Sequence, residues 1–314
     1  MVKGIVKKLL KYPIKLANRL FVYNYYKTSP KRDNYRVDNI IAPSDRLLVI
    51  SPHVDDETIG LGASLIKAKE LGLHMSLVYM TDGGGSTSDL SREELVAERK
   101  KEGLGVKESY GFNKVYFLDE PDGNLNSSKP SLVDRLVDIL EREMPSKVFT
   151  PFLIDGHRDH VETSLALMRA VERWDEDFKE IYMYEVNCPI YPELITDLTT
   201  MDEELFLEKG QKYQIFKSQW VMGFDAFKLL DRGKAKLLEG NDGAQAAEVF
   251  VKADLTSLKS IEEYLKSIDF KPHAFRQLSS EYNLILAFLK NRGRKDEIMR
   301  SVKEILRESK SVKI

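Results

Sequence analysis

The sequence predicts an α/β protein with a mostly parallel β-sheet that is covered by helices on both faces. Between residues 46 and 186, short apolar, β-prone runs alternate with helical stretches of about ten or more residues. This alternation is typical of βαβ units, which have right-handed crossovers and bind ligands at the carboxyl ends of their strands. A hydrophobic share of 42% and a charged share of 31% fit a globular domain. The expected architecture is Rossmann-like.

Five strands and four helices are predicted in this part of the chain. The strands cover residues 47–51, 75–81, 114–118, 147–151 and 181–186. The helices cover residues 60–71, 91–109, 131–143 and 161–173. In the first of these helices, Leu61, Leu65, Ile66 and Ala68 share one apolar face.

The second part of the chain differs, because the strand pattern fades beyond about residue 202. Residues 203–220 and 255–308 have the pattern of helices, and a linker is expected around residues 240–243. The sequence therefore predicts a basic N-terminal extension at 1–40, a core domain at 41–250 and a helical C-terminal appendage at 251–314.

Residues 1–32 carry nine Lys or Arg and no Asp or Glu. The whole chain has a net charge of −2, so the other 282 residues, with 39 basic and 50 acidic side chains, have a net charge of −11. A cationic segment on an acidic body predicts contact with an anionic membrane surface or with the body itself. Apolar residues recur between its lysines at roughly helical spacing, at Ile5, Leu9, Leu10, Ile14 and Leu16.

Composition also narrows the cellular setting. The single cysteine, Cys188, excludes an internal disulfide framework and fits a reducing compartment. The lysines of residues 1–32 interrupt every apolar run, which argues against a membrane span there, and the segment lacks the pattern of a secretory signal. We expect a cytoplasmic protein, peripheral at the membrane if the basic segment binds lipid. The acidic body argues against nucleic-acid binding.

One histidine and three acids follow the first predicted strand directly, in the stretch SPHVDDE at 51–57. Neighbouring carboxylates repel one another, so they require either hydration or a cation. A second cluster, DGHRDH at 155–160, follows the strand predicted at 147–151. Of the five histidines in the chain, three lie in these two loops: His53, His157 and His160.

If both strands are central and parallel, the two loops lie at one edge of the sheet and can hold a divalent metal. The donors would be His53, one of the paired aspartates and a histidine of the second loop. Two imidazoles and one carboxylate favour zinc, with Fe(II) as the competing metal. Three protein ligands leave a position for water, whose pKa bound zinc lowers to about 7. A second carboxylate can accept a proton, and another histidine can stabilise an oxyanion.

Both clusters resemble the motifs of the PIG-L/LmbE-like N-acetylglucosaminyl deacetylases, over roughly residues 45–250. SPHVDDE is similar to the family's (P/A)HPDDE loop, with Val54 at the usual proline, and His157-Arg-Asp-His160 is similar to its HxDH loop. Weaker matches follow in the family's order, at Thr81-Asp82-Gly83, Arg99-Lys-Lys-Glu102, Leu104-Gly105, Pro121-Asp122-Gly123 and Ser218-Gln219.

The resemblance implies a zinc-dependent enzyme that hydrolyses the acetamide of an N-acetylglucosamine-type sugar conjugate and releases acetate. It implies that His53, Asp56 and His160 bind the metal and that Asp55 is the general base. The basic N-terminus favours a lipid-linked or membrane-proximal sugar as the substrate. The alternative is a non-catalytic, metal-containing protein that binds sugars.

Further roles follow from the same resemblance. His157 would be the imidazolium that stabilises the oxyanion, and Asp159 would orient it. Arg99 and Asp122 would contact the substrate sugar. The residues themselves leave two interpretations of Glu57, either as an acceptor that orients a metal ligand or as a helix cap.

Overall fold

The computed structural model describes residues 2–32, 34–238 and 243–311. Within these residues, eight strands form one sheet and are accompanied by ten α-helices. The strands are β1 (Arg36–Val37), β2 (Arg46–Ser51), β3 (His74–Thr81), β4 (Lys114–Glu120), β5 (Lys147–Pro151), β6 (Ile181–Tyr184), β7 (Asp197–Met201) and β8 (Ala246–Ala253). The helices are α1 (Val2–Thr28), α2 (Asp56–Glu70), α3 (Arg92–Tyr110), α4 (Pro130–Glu143), α5 (Arg158–Trp174), α6 (Glu203–Lys212), α7 (Asp225–Lys234), α8 (Leu255–Ser267), α9 (Leu284–Leu289) and α10 (Arg292–Ser311).

The sheet is mostly parallel, with the strand order β1-β7-β8-β6-β5-β2-β3-β4. Strands β2 to β6 pair in parallel with one another, whereas β8 runs antiparallel to both β6 and β7. Every residue of β2 after Arg46 is buried, and α2 and α5 both pack against this strand. Because successive side chains of a strand point to opposite faces, β2 is covered on both sides. The predicted α/β class with a mostly parallel sheet is confirmed.

The five predicted strands are present as β2 to β6, and the four predicted helices are present as α2 to α5. Helix α2 begins at Asp56 rather than at residue 60, because Asp56 and Glu57 are favourable in the first turn of a helix. The sequence does not predict β1, β7 or β8. Strand β8 reads AAEVFVKA, in which the alanines and Glu248 favour a helix in isolation.

Both ends of the described chain pack on the same core. One continuous cluster of buried apolar side chains extends from Val22 and Tyr26 of α1 to Met299 and Val302 of α10. The division into three segments stays a prediction. The expected linker at 240–243 falls largely outside the described residues, as do the side chains of Ile5, Leu9 and Leu10.

Among the described helices, none combines the length and the apolar character that crossing a membrane requires.

Candidate metal centre and active site

The two sequence clusters meet at the carboxyl edge of the sheet. Strands β2 and β5 are adjacent and parallel, with Leu48 opposite Val148. The direction in which strands are added reverses between β2 and β5, because β3 lies on the far side of β2 and β6 lies on the far side of β5. Such a switch point leaves a crevice in which α/β proteins bind ligands. The ring centres of His53 and His157 are 4.8 Å apart, and those of His53 and His160 are 5.4 Å apart.

Asp56 stands between two of these histidines. Its Oδ2 lies 3.1 Å from Nδ1 of His53 and 3.3 Å from Nε2 of His160. Two ligands of a tetrahedral zinc ion, each at about 2.0–2.1 Å, are separated by about 3.3 Å. Each of these two pairs of donor atoms therefore has the separation of two ligands on one cation. Oδ2 also accepts the backbone N–H of His53 at 3.0 Å, which fixes the carboxylate in its loop.

His160 offers donor atoms that the described part of the chain does not otherwise use. The residue is 1% exposed, and neither ring nitrogen has a hydrogen-bond partner within the described residues. Its Nδ1 faces Oδ1 of Asp155 at 3.2 Å without the alignment of a hydrogen bond. A carboxylate behind an imidazole commonly orients that ring toward a metal. The buried Nε2 beside Asp56 therefore fits a metal ligand.

Two other groupings of donor atoms occur at the same place. The three histidines have ring nitrogens within 4.8 Å of one another, and a second group combines His53, Asp122, His157 and Asp159. His157 is the less suitable ligand, because its Nδ1 already accepts the backbone N–H of Asp159 at 3.2 Å. Metal binding by His53, Asp56 and His160 stays a prediction.

The carboxylates around the imidazoles of His53 and His160 attract positive charge. Burial alone would lower the pKa of His160, but Asp56 and Asp155 outweigh it and raise that pKa to about 10. Burial is likewise outweighed at His53, where Asp122, Asp159 and Asp56 raise the pKa well above its usual value. A divalent cation would satisfy the same carboxylates and displace those protons.

The carboxylate of Asp159 holds the loop after β4. It accepts the backbone N–H groups of Gly123 at 2.6 Å and Leu125 at 3.1 Å, and it lies 3.4 Å from Nε2 of His53. Its hydrogen bond to His157 runs through the backbone N–H of Asp159 rather than through the carboxylate. A catalytic role for Asp159 stays a prediction.

His157 is held as a neutral imidazole. Burial, together with the neighbouring His160 and His53, lowers its pKa to about 4. Because Nδ1 accepts the N–H of Asp159, the ring proton is placed on Nε2, which is a donor. The resemblance implies an imidazolium at this position, whereas the geometry favours an uncharged donor that can still bind an oxyanion.

Asp55 is a buried acid directly beside these donors. Its φ of 133° is rarely adopted by residues with a side chain and costs about 1–3 kcal/mol. The loop is fixed by hydrogen bonds from the Asp55 N–H to Oε2 of Glu57 at 3.2 Å and from Arg99 to the carbonyl of Val54. Burial raises the pKa of Asp55 to about 8, against the opposing charge of Arg99. A pKa near neutrality suits proton transfer.

Arg99 is 1% exposed and joins three parts of the site. Its guanidinium lies 3.5 Å from Oδ2 of Asp55 and 3.1 Å from Oε2 of Glu102. Glu102 in turn accepts the hydroxyl of Ser218 at 2.8 Å. Arg99 thereby ties α3 and Ser218 to the loop after β2. Its contact with a sugar stays a prediction.

Asp122 lies at the entrance to the site. Its Oδ1 is 3.2 Å from Nε2 of His53, and its Oδ2 accepts the backbone N–H of Gly85 at 2.9 Å. Burial raises the pKa of Asp122, but the hydrogen bond to His53 outweighs it and holds that pKa below its usual range. The proposed sugar contact of Asp122 also stays a prediction.

A cavity of about 290 Å³ opens over these residues. Part of its wall comes from the turn after α8, at Gln277, Leu278 and Ser279. The side chain of Gln277 donates to the carbonyl of Gly156 at 2.9 Å, and Oδ1 of Asn283 accepts the N–H of Ser279 at 3.2 Å. The C-terminal segment therefore contributes to the site.

Two contributions were missed in the sequence, those of Asp155 and of the turn at 277–279. Asp155 accepts the backbone N–H groups of His157 at 2.8 Å and Asn187 at 3.0 Å while facing His160. Its place at the head of the DGHRDH cluster was the available signal. The turn at 277–279 carries no motif. Glu57, for which the sequence left two interpretations, accepts the backbone N–H of Asp55.

Comparison with known proteins agrees with this geometry. The family model described as PIG-L: GlcNAc-PI de-N-acetylase matches residues 48–171, which include both loops. Residues 48–171 are therefore similar to a PIG-L domain. The family resemblance inferred from the two sequence motifs is thus confirmed.

Relatives of the PIG-L domain extend the comparison. The diacetylchitobiose deacetylase of Thermococcus kodakarensis is 28% identical over 143 residues, which cover 44% of this chain and 53% of that enzyme. The chain thus spans about half the length of this relative.

Solved structures share the fold. A conserved protein from Thermus thermophilus has a TM-score of 0.54 at 26% identity, over 66% of this chain and 94% of its own. The N,N'-diacetylchitobiose deacetylase from Pyrococcus horikoshii has a TM-score of 0.54 at 23% identity, over 80% of this chain and 92% of its own.

Proposed function

We propose that this protein is a metal-dependent N-deacetylase that hydrolyses the acetamide of an N-acetylglucosamine-type sugar conjugate to a free amino sugar and acetate. The observation that carries the proposal is the position of Asp56 Oδ2 between His53 and His160, with Asp55 buried directly beside them. The names of the deacetylase relatives support the same chemistry.

His53, Asp56 and His160 would hold the metal, and their two imidazoles and one carboxylate favour zinc over iron. A zinc ion bound there would acidify a water molecule and polarise the acetamide carbonyl. Elemental analysis of the purified protein tests this choice. About one equivalent of zinc per chain would support zinc as the metal. About one equivalent of iron would show that the site binds iron instead.

The protein's own groups then carry the protons. Asp55 accepts the proton of the attacking water, and Nε2–H of His157 donates to the acetamide oxygen as negative charge develops on it. When the C–N bond breaks, Asp55 or His157 delivers a proton to the leaving amine. Arg99 favours the ionised form of Asp55 against the effect of burial, and Asp159 fixes both the loop after β4 and the His157 tautomer.

The direct test measures free-amine and acetate release from N-acetylglucosamine and N,N'-diacetylchitobiose. Asp55→Ala should reduce turnover by about 10²–10⁴-fold with the metal content unchanged. Asp119→Ala, which removes a surface carboxylate, is the matched control and should keep full activity. Full turnover in the metal-loaded Asp55→Ala variant would remove Asp55 from the mechanism. Sugar binding without any turnover by the wild type would support the non-catalytic alternative.

We also propose a cytoplasmic location, peripheral at a membrane, and a lipid-linked or membrane-proximal sugar. The single buried Cys188 and the cationic residues 1–32 support this setting. Fractionation of cells that express the full chain tests the location. A secreted protein would contradict it.

A further inference from the structure

Helix α1 is fixed to the body of the protein through one of its faces. Val22 and Tyr26 are buried, and the rings of Phe21 and Tyr25 pack edge-on against Phe288 with centroids 5.2 and 4.6 Å apart. The docked face is held in addition by a hydrogen bond from the Asn18 side chain to the backbone carbonyl of residue 281. The orientation of the opposite face is therefore defined.

That opposite face carries a row of exposed apolar side chains. Tyr12, Leu16, Leu20 and Tyr23 are 79%, 58%, 60% and 44% exposed, and their spacing of four, four and three residues aligns them along the helix. The solvent face of a docked helix is normally polar. This row therefore resembles the apolar face of a helix that lies in a membrane interface.

A cationic cleft adjoins the row. It has a volume of about 670 Å³ between α1 and α7, and Tyr23 belongs to both features. Its described lining includes five cations and no acidic side chain: Arg19, Lys27, Lys31, Arg232 and Lys236. Of these, Arg232 already pairs with Glu203 outside the cleft lining at 2.7 Å. The Nζ atoms of Lys27 and Lys236 lie 5.6 and 5.3 Å from the centre of the Tyr23 ring.

We infer that the exposed row and the cleft together form a docking surface for an anionic lipid bilayer, with the cleft taking phosphate-bearing headgroups. Apolar side chains flanked by cations are complementary to such an interface. A second copy of the chain is the less suitable occupant, because a symmetric contact would place two cationic clefts against each other. The inference does not depend on the chemistry of the metal centre.

Co-sedimentation of the full chain with vesicles tests the surface. Vesicles of phosphatidylcholine with phosphatidylserine should bind the protein, those of phosphatidylcholine alone should bind at least about tenfold less, and added salt should weaken binding. The double variant Leu16→Glu/Leu20→Glu should lose at least about tenfold in binding to the anionic vesicles. The double variant Arg19→Glu/Lys236→Glu should lose a similar amount of binding to these vesicles, because it reverses two positive charges in the cleft.

Leu207→Glu on α6 is the matched control, since Leu207 is 54% exposed on another helix. It should sediment like the wild type, and every variant should keep the wild-type unfolding temperature. Equal binding to both vesicle types, no binding at all, or wild-type binding by the Leu16→Glu/Leu20→Glu variant would overturn the inference. So would a dimer in size-exclusion chromatography with light scattering that this variant converts to monomers.

Discussion

The Nζ of Lys209 lies 2.9 Å from Oε1 of Glu248, and the two side chains occupy a break in helix α2. Leu61 has non-helical dihedral angles, with φ −145° and ψ 22°. Glu248 accepts the N–H groups of Ala63 at 2.6 Å and Ser64 at 3.0 Å, while Lys209 donates to the Ile59 carbonyl at 3.0 Å. The buried pair thus satisfies the backbone groups that the break releases, shortly after the loop that carries His53 and Asp56.

Lys209→Met should lower the free energy of unfolding by about 3–5 kcal/mol, because it leaves Glu248 buried without its cation and leaves Asp231 with Lys234 alone. Urea unfolding measures the change. Lys228→Met removes a more exposed ion pair and should cost at most about 1 kcal/mol. Equal losses of unfolding free energy in the two variants would mean that the buried ion pair stabilises the fold no more than the exposed one does.

Asp155→Asn should weaken metal binding by about 10–100-fold, because the carboxylate faces Nδ1 of His160 from behind. Competition with a chelator measures the affinity. Glu162→Gln alters a nearby carboxylate that accepts the N–H of Ser127, and it should leave the affinity unchanged. Unchanged affinity in Asp155→Asn would show that His160 does not depend on this contact.

Arg99→Met should shift the acid limb of the pH–rate profile to higher pH. The positive charge of Arg99 favours ionised Asp55, so its removal raises the pKa of Asp55 and leaves more of the base protonated near pH 7. We expect kcat/KM to fall by about 10–100-fold at neutral pH and to recover partly in alkaline buffer. A uniform loss at every pH would instead indicate a structural or substrate-binding role for Arg99.

Glu143 should contribute stability that acid removes. Burial raises its pKa, but hydrogen bonds from Ser76, Tyr116 and His74 outweigh it and lower the pKa from 4.5 to about 2. Since the folded-state pKa is the lower one, the contribution is complete above about pH 4.5 and is lost as the pH falls toward 2.

Glu143→Gln should therefore cost about 1–3 kcal/mol at pH 7, and its difference from the wild type should shrink below pH 4.5. Denaturant unfolding at a series of pH values measures this difference. Glu141→Gln, on the exposed side of α4, is the control and should show no such trend. A difference that stays constant with pH would contradict the assigned pKa shift.

The positions of the two loops that carry His53 and His160 could be predicted from the sequence, because each loop follows an apolar run whose pattern fixes its strand. His53 and His160 then fall at one edge of the sheet once β2 and β5 are neighbours. Strand β8 could not be predicted in this way, because the partner that makes Glu248 acceptable inside the sheet is Lys209 on another element. The local β-propensity of a segment contains no information about such a pairing between distant residues.

The same limit applies within the site. The role of Asp155 depends on its position next to the ring of His160. The part of the cavity wall at Gln277 depends on a turn that the side chain of Asn283 holds through the Gln277 carbonyl. The tautomer of His157 depends on one backbone hydrogen bond from Asp159. These features follow from tertiary packing, so residue spacing carries little information about them.

Strand β8 lies between β6 and β7 although it follows both in the chain. During synthesis on the ribosome, β6 and β7 therefore emerge before Ala246–Ala253, the strand that pairs with one edge of each in the folded sheet. A nascent or proteolysed chain that stops earlier would present those edges to other molecules, a recognised route to aggregation. The two halves of the sheet are thus joined only after β8 has been synthesised.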